Sequence, residues 1–144
     1  MDYMKYIPDP KDVEAVFAAF DPKLRTELEL CRGHILSMAA EVEGVGAITE
    51  TLKWGQPSYL TEESGSGSTI RLGGTAEAPA LYVHCATNLI EQFRTHYPDT
   101  FDYEGKRALV IRDDVQSVAA ELRHCIALAL TYKLRRETRR RAAT

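Results

Sequence analysis

The feature that most constrains this chain is a change of hydrophobic period near residue 48. Upstream of it, Leu24, Leu28, Cys31, Ile35, Met38 and Val42 recur at alternating steps of four and three. Those steps align side chains along one face of an α-helix. The pattern predicts a long helix from about Pro22 to Glu43, opened by Asp21-Pro22 and ended by Gly44 and Gly46. Downstream the apolar residues fall into short alternating runs, the period of strands. A helical first half joined to a strand-rich second half is the pattern of an α+β fold.

The remaining elements follow from the same signals. Asp9-Pro10 starts an earlier helix carrying Val13, Val16, Phe17 and Phe20, and Asp21-Pro22 stops it. Strands are predicted at Thr51–Gln56, Thr69–Leu72, Ala80–Cys85 and Ala108–Arg112, the first broken by Pro57. A helix over Asn88–His96 points Leu89, Ile90 and Phe93 inward, and Phe101–Gly105 reads as a turn. Asp113 or Asp114 caps a long final helix whose stripe runs from Val115 to Leu130. The expected order is ααβββαβα, a mainly antiparallel four-stranded sheet with helices packed on one face. Strand parity then aims Ile70, Leu72, Leu81, Val83, Leu109 and Ile111 at the helices. Arg71, Tyr82, His84, Val110 and Arg112 are left for the open face. Thr61–Ser68, rich in serine and glycine, reads as a mobile hairpin loop.

The 144 residues fit one domain, taken as 1–132, with 133–144 as a basic helix end or tail. That last segment sets Lys133, Arg135, Arg136, Arg139, Arg140 and Arg141 against Glu137. With a net charge of −3 for the whole chain, the rest carries −8. An acidic body disfavours nucleic-acid binding by the fold itself, leaving the basic segment as the place to touch nucleic acid or an acidic partner. No apolar run reaches the roughly 20 residues that cross a bilayer, and the N-terminus lacks an apolar signal core. Three cysteines without a CxxC pair read as reduced thiols, so the expected location is cytoplasmic.

The string Trp54-Gly55-Gln56-Pro57-Ser58-Tyr59, placed between the long helix and the run Ala80-Leu81-Tyr82-Val83-His84, resembles the YdhG-like domain family. Gly105-Lys106, the strand at Ala108–Arg112 and a closing helix fit the same plan, so the resemblance covers roughly residues 20–130. It implies an α+β domain of unestablished activity. Some relatives are described as frataxin-like iron chaperones that hold iron on surface carboxylates, and iron enters as a candidate cargo through that resemblance alone.

No catalytic motif is present. Ser58 lacks a nucleophile elbow, and strand parity sets His84 and Cys85 on opposite faces. Cys31, His34, His124 and Cys125 could in principle join two helices through a zinc ion, but both cysteines fall inside apolar stripes, where a thiol is a small hydrophobe. The carboxylates (Asp9, Asp12, Glu14, Asp21, Glu27, Glu29, Glu41, Glu43, Asp113, Asp114) show no ligand spacing. The chain therefore reads as a small binding or accessory protein rather than an enzyme, its partner a small ligand, iron or another protein. The candidate pocket comprises Trp54, Gln56, Pro57, Tyr59, Arg71, Tyr82, His84 and Arg112, with core packing as the competing role for Trp54. A protein-interaction module using the open sheet face or the basic segment is the alternative.

Overall fold

A computed structural model of the chain describes residues 10–75 and 78–143. The Asp9 cap lies outside the described residues. Helices α1 (Pro10–Ala19) and α2 (Pro22–Glu41) precede strands β1 (Thr49–Lys53), β2 (Gln56–Leu60), β3 (Ile70–Thr75) and β4 (Ala78–Tyr82). Helix α3 (Leu89–His96), strands β5 (Asp102–Glu104) and β6 (Ala108–Val110), a 3₁₀ turn at Val115–Val118, and helices α4 (Ala119–Leu130) and α5 (Tyr132–Ala143) complete the chain. The α+β class holds, but the sheet has six strands rather than four. All its pairings are antiparallel, in the order β1-β2-β3-β4-β6-β5.

Two strands were hidden for physical reasons. The predicted Thr51–Gln56 strand is a hairpin, because Trp54 and Gly55 both take positive φ (57° and 73°) between the facing residues Lys53 and Gln56. Two positive φ values in a two-residue loop make a type I′ turn, whose twist suits a tight hairpin. Pro57 faces Leu52 next to the turn-closing pair, a position that donates no hydrogen bond to β1. The proline therefore sits inside β2 without breaking it. Strand β5 lies in the segment read as a turn; it is short, polar and at the sheet edge, so it carries no apolar alternation.

The helices cover one face. Leu28, Cys31 and Ile35 of α2, Leu122, Cys125 and Ile126 of α4, and the six parity-predicted strand residues are all buried in one cluster. At the α1 side that core is closed by an ion pair. Arg32 donates to both Glu50 oxygens (2.7 and 2.8 Å) and to Glu14 (2.9 Å), and its guanidinium lies 5.1 Å from the Phe17 ring centre. The buried Tyr59 hydroxyl donates to the same Glu50 carboxylate at 2.8 Å. The Glu50 carboxylate on β1 thus links α2 and β2, and Arg32 extends the network to Glu14 and Phe17 of α1.

The final helix is not continuous. It breaks at Thr131, and the cause lies in the serine-glycine loop. Ser66 and Gly67 are buried, while residues 62–65 of the same loop are exposed. The Ser66 hydroxyl donates to the Leu130 carbonyl at 2.7 Å, while the Ser66 carbonyl accepts the Lys133 and Leu134 N–H groups. The Ser68 N–H donates to the Ala129 carbonyl, and Arg135 donates to the Leu128 carbonyl. A helix end leaves carbonyls unpaired and a helix start leaves N–H groups unpaired. Here one loop satisfies both kinds. The basic residues of the C-terminal segment consequently lie on a helix anchored at its first turn.

Candidate functional site

Pairing places one transverse row of residues across the whole sheet: Thr51, Ser58, Arg71, Tyr82, Ala108 and Glu104. Directly opposed residues share a face, so this row looks away from the helices. The neighbouring row contributes Gln56, Gly73, Ala80 and Val110. Ala80, Ala108 and Val110 pack together as a small apolar floor, with Tyr82 against it. Over that floor opens a cleft of about 720 Å³, lined by Trp54, Gln56, Arg71, Tyr82, His84 and Arg107, with Cys85 and Glu104 at its border.

Each wall has a local cause. The type I′ turn lifts Trp54 out of the sheet, so the ring is 88% exposed and lies at the cleft instead of in the core. Tryptophan at a positive φ is uncommon, since such turns ordinarily take Asn, Asp or Gly. Gly73 makes room for two neighbours: a Cβ there would stand 2.8 Å from the Gln56 amide nitrogen and 3.0 Å from the Tyr82 ring. Strand β4 ends at Tyr82, and a turn follows in which the Ala86 N–H donates to His84 Nδ1 at 3.0 Å. A neutral His84 ring accepting at Nδ1 carries its proton on Nε2. The same turn brings Cys85 to the cleft beside His84, so strand parity does not separate the two. The thiol's neighbour is the Arg107 guanidinium, 3.7 Å away.

Two guanidinium groups, Arg71 and Arg107, thus face one carboxylate, Glu104, beside exposed aromatic surface. Burial raises the Tyr82 phenol above its ordinary pKa; the nearby Glu104 adds to the rise and Arg71 opposes it. The phenol is accordingly a neutral hydrogen-bond donor at physiological pH.

Of the eight sequence-derived candidates, Trp54, Gln56, Arg71, Tyr82 and His84 meet at this cleft. Three do not. Pro57 and Tyr59 fall on the helix side of β2, where Pro57 is buried and Tyr59 bonds Glu50. Arg112 lies past the end of β6, held by Asp102 at 2.7 Å and by the Asp99 carbonyl. Sequence reasoning missed Glu104 and Arg107, which flank the β5–β6 turn. The signal available was Gly105-Lys106 between Asp102-Tyr103-Glu104 and Ala108-Leu109-Val110, a hairpin pattern with glycine in the turn.

Metal chemistry finds no such gathering. Among the described residues no three His, Cys, Asp or Glu side chains could hold an ion together. Glu14 and Glu50 are occupied by Arg32, and Glu41 by Arg123 at 2.7 Å. Cys31 and Cys125 are buried in the core, while His34 bonds Gln116 and Arg123, and His124 bonds Tyr97. The described carboxylates therefore do not fit a shared iron site. Among the described residues no helix is long and apolar enough to cross a membrane.

Comparison with protein-family models gave no match, and neither did comparisons with curated proteins and with solved structures. The site's geometry alone bears on function.

The exposed turn yields a direct prediction. Replacing Trp54 by asparagine should raise stability by about 0.5–1 kcal/mol, because asparagine tolerates positive φ and no buried contact is lost. Urea unfolding measures this; a clear loss of stability would mean that the indole packs on the domain.

Proposed function

We propose that the open sheet face binds a small anion bearing a flat ring, of the nucleoside monophosphate class, without transforming it. The observation that carries this reading is Trp54. An exposed indole in a backbone conformation unfavourable to it is a local cost that persists where the side chain has a use. The ring and Tyr82 offer stacking surface, and guanidinium groups bind phosphate through paired, charge-assisted hydrogen bonds. Gln56, the Tyr82 hydroxyl and His84 Nε2–H supply neutral polar contacts for orientation. We also propose kinship with YdhG-like domains, on the Trp54–Tyr59 string and the order of elements around it; of the two cargoes raised by the sequence, a ring-bearing anion suits the cleft better than iron.

Calorimetry with adenosine monophosphate, adenosine and inorganic phosphate tests the reading. The monophosphate should bind most tightly, since it alone engages both rings and guanidinium groups. Arg71→Ala should weaken it at least tenfold, the scale of a lost charge-assisted contact. Arg112→Ala, outside the cleft, should leave it within twofold. Equal affinity for all three compounds, or no heat from any, overturns the proposal.

A further inference from the structure

A second cleft, of about 840 Å³, adjoins the first. It is lined by Thr87, Asn88, Arg94, Lys106 and Tyr132, and Cys85 borders both clefts. Its cations, Arg94 and Lys106, oppose one carboxylate, Glu91. The Arg94 guanidinium rests on the Tyr103 ring, 5.1 Å from its centre, and is exposed on its other side. Tyr132 begins α5, the helix that carries the chain's densest run of arginine.

Taken together, the clefts gather Arg71, Arg107, Lys106 and Arg94; Trp54 and Tyr82 belong to the first and Tyr132 to the second, with Tyr82 on the strand between Arg71 and β6. The acidic balance of the body therefore does not extend to this face, where four cations meet two carboxylates. We propose that the two clefts form one groove for single-stranded nucleic acid, an extension of the mononucleotide reading on which it rests. Successive phosphates would meet the four cations, and a base would stack on the exposed Trp54 ring, with the half-buried Tyr82 and Tyr132 rings at the groove wall. Stacking on exposed rings selects unpaired bases, because a duplex hides their faces. An acidic peptide would satisfy the cations but not the rings. From β2 to β6 the sheet spans three strand spacings, about 14 Å, room for two or three nucleotides before the chain reaches Lys106 and Tyr132.

The test is fluorescence anisotropy of a labelled oligouridine octamer, with a glutamate octapeptide and adenosine monophosphate as comparisons. The octamer should bind at least tenfold more tightly than the monophosphate. Its affinity should fall tenfold or more between about 50 and 200 mM salt, as several released counterions require. The double variant Arg94→Ala/Lys106→Ala should weaken the octamer at least tenfold and leave the monophosphate within twofold, with circular dichroism verifying the fold. Octamer binding no tighter than the monophosphate, or indifferent to the double variant, overturns the groove and leaves the small-ligand reading standing. Equal binding of the glutamate peptide overturns it in favour of an acidic protein partner. Failure of both the octamer and the monophosphate removes both readings.

Discussion

Replacing Gly67 by alanine is expected to cost at least about 3 kcal/mol and to lower the melting temperature by about 10 °C. The added Cβ would stand 2.3 Å from the Leu130 carbonyl oxygen, 2.4 Å from its carbon and 2.5 Å from the Ala129 oxygen. All three are backbone atoms at a helix end, so no side-chain rotation relieves the clash. Relief requires the loop to lift, and lifting it breaks the Ser66 and Ser68 bonds that satisfy the α4 end and the α5 start. The Thr61 hydroxyl, which accepts the Gly67 N–H at 3.0 Å, loses its place too. Gly33→Ala supplies the contrast: it lies inside α2 with open space around it and should stabilise by about 0.5–1 kcal/mol. Thermal unfolding of both variants decides the matter. An unchanged melting temperature for Gly67→Ala would show that the loop is not seated on the helix break.

Alkali should unfold the domain steeply. Burial pushes the Cys31 thiol from its ordinary value near 9 up to about 12, with Glu27 adding to the rise. Cys125 is likewise pushed up to about 12 by burial, aided by Glu121. Burial and the bond to Glu50 also raise Tyr59. Between the ordinary and raised values the folded state keeps protons that the unfolded chain releases, so rising pH favours unfolding. The stabilisation is complete below about pH 9. Above it each thiol costs on the order of 1 kcal/mol per pH unit, and Tyr59 adds to the loss above about pH 10. By pH 10.5 the combined loss is on the order of 5 kcal/mol, a large share of an ordinary domain's stability. Urea unfolding at pH 7.5, 9.5 and 10.5 measures it. A flat profile would mean that both thiols are solvated in the folded state.

The parts of the fold that sequence pattern exposes are those set by local periodicity. The α2 stripe and the inward parity of Ile70, Leu72, Leu81, Val83, Leu109 and Ile111 are properties of neighbouring residues, and they appear where the pattern puts them. What it conceals depends on distant partners or unusual turn residues. Trp54-Gly55 carries no Asn-Gly signature, and Trp54 has high strand propensity, so a hairpin reads as one strand. The break after Leu130 is capped by Ser66, a residue 64 positions away in the chain. Composition does not reveal the seat of Ser66 and Gly67, although the loop's small residues are what allow it to sit against the helix ends.

The candidate site shows the same division. Parity identifies Arg71, Tyr82 and His84 as neighbours on the open face, while no local rule orients Trp54 across the turn. Glu104 and Arg107 depend on recognising β5, a three-residue polar strand paired only with β6. Tyr59, four residues from the turn, carries the same aromatic signal as Trp54 but faces the helices and serves the Glu50 network. The string that joins the two halves thus divides its work, Trp54 and Gln56 facing outward and Pro57 and Tyr59 inward.

Trp54 is the chain's sole tryptophan, so its emission reports on the cleft without a label. Titration with adenosine monophosphate should quench that emission saturably, with half-saturation between about 1 μM and 1 mM. Arg71→Ala should shift the curve at least tenfold to higher concentration. Emission that stays constant, or changes equally in the Arg71→Ala variant, would contradict a ligand site on the open face of the sheet.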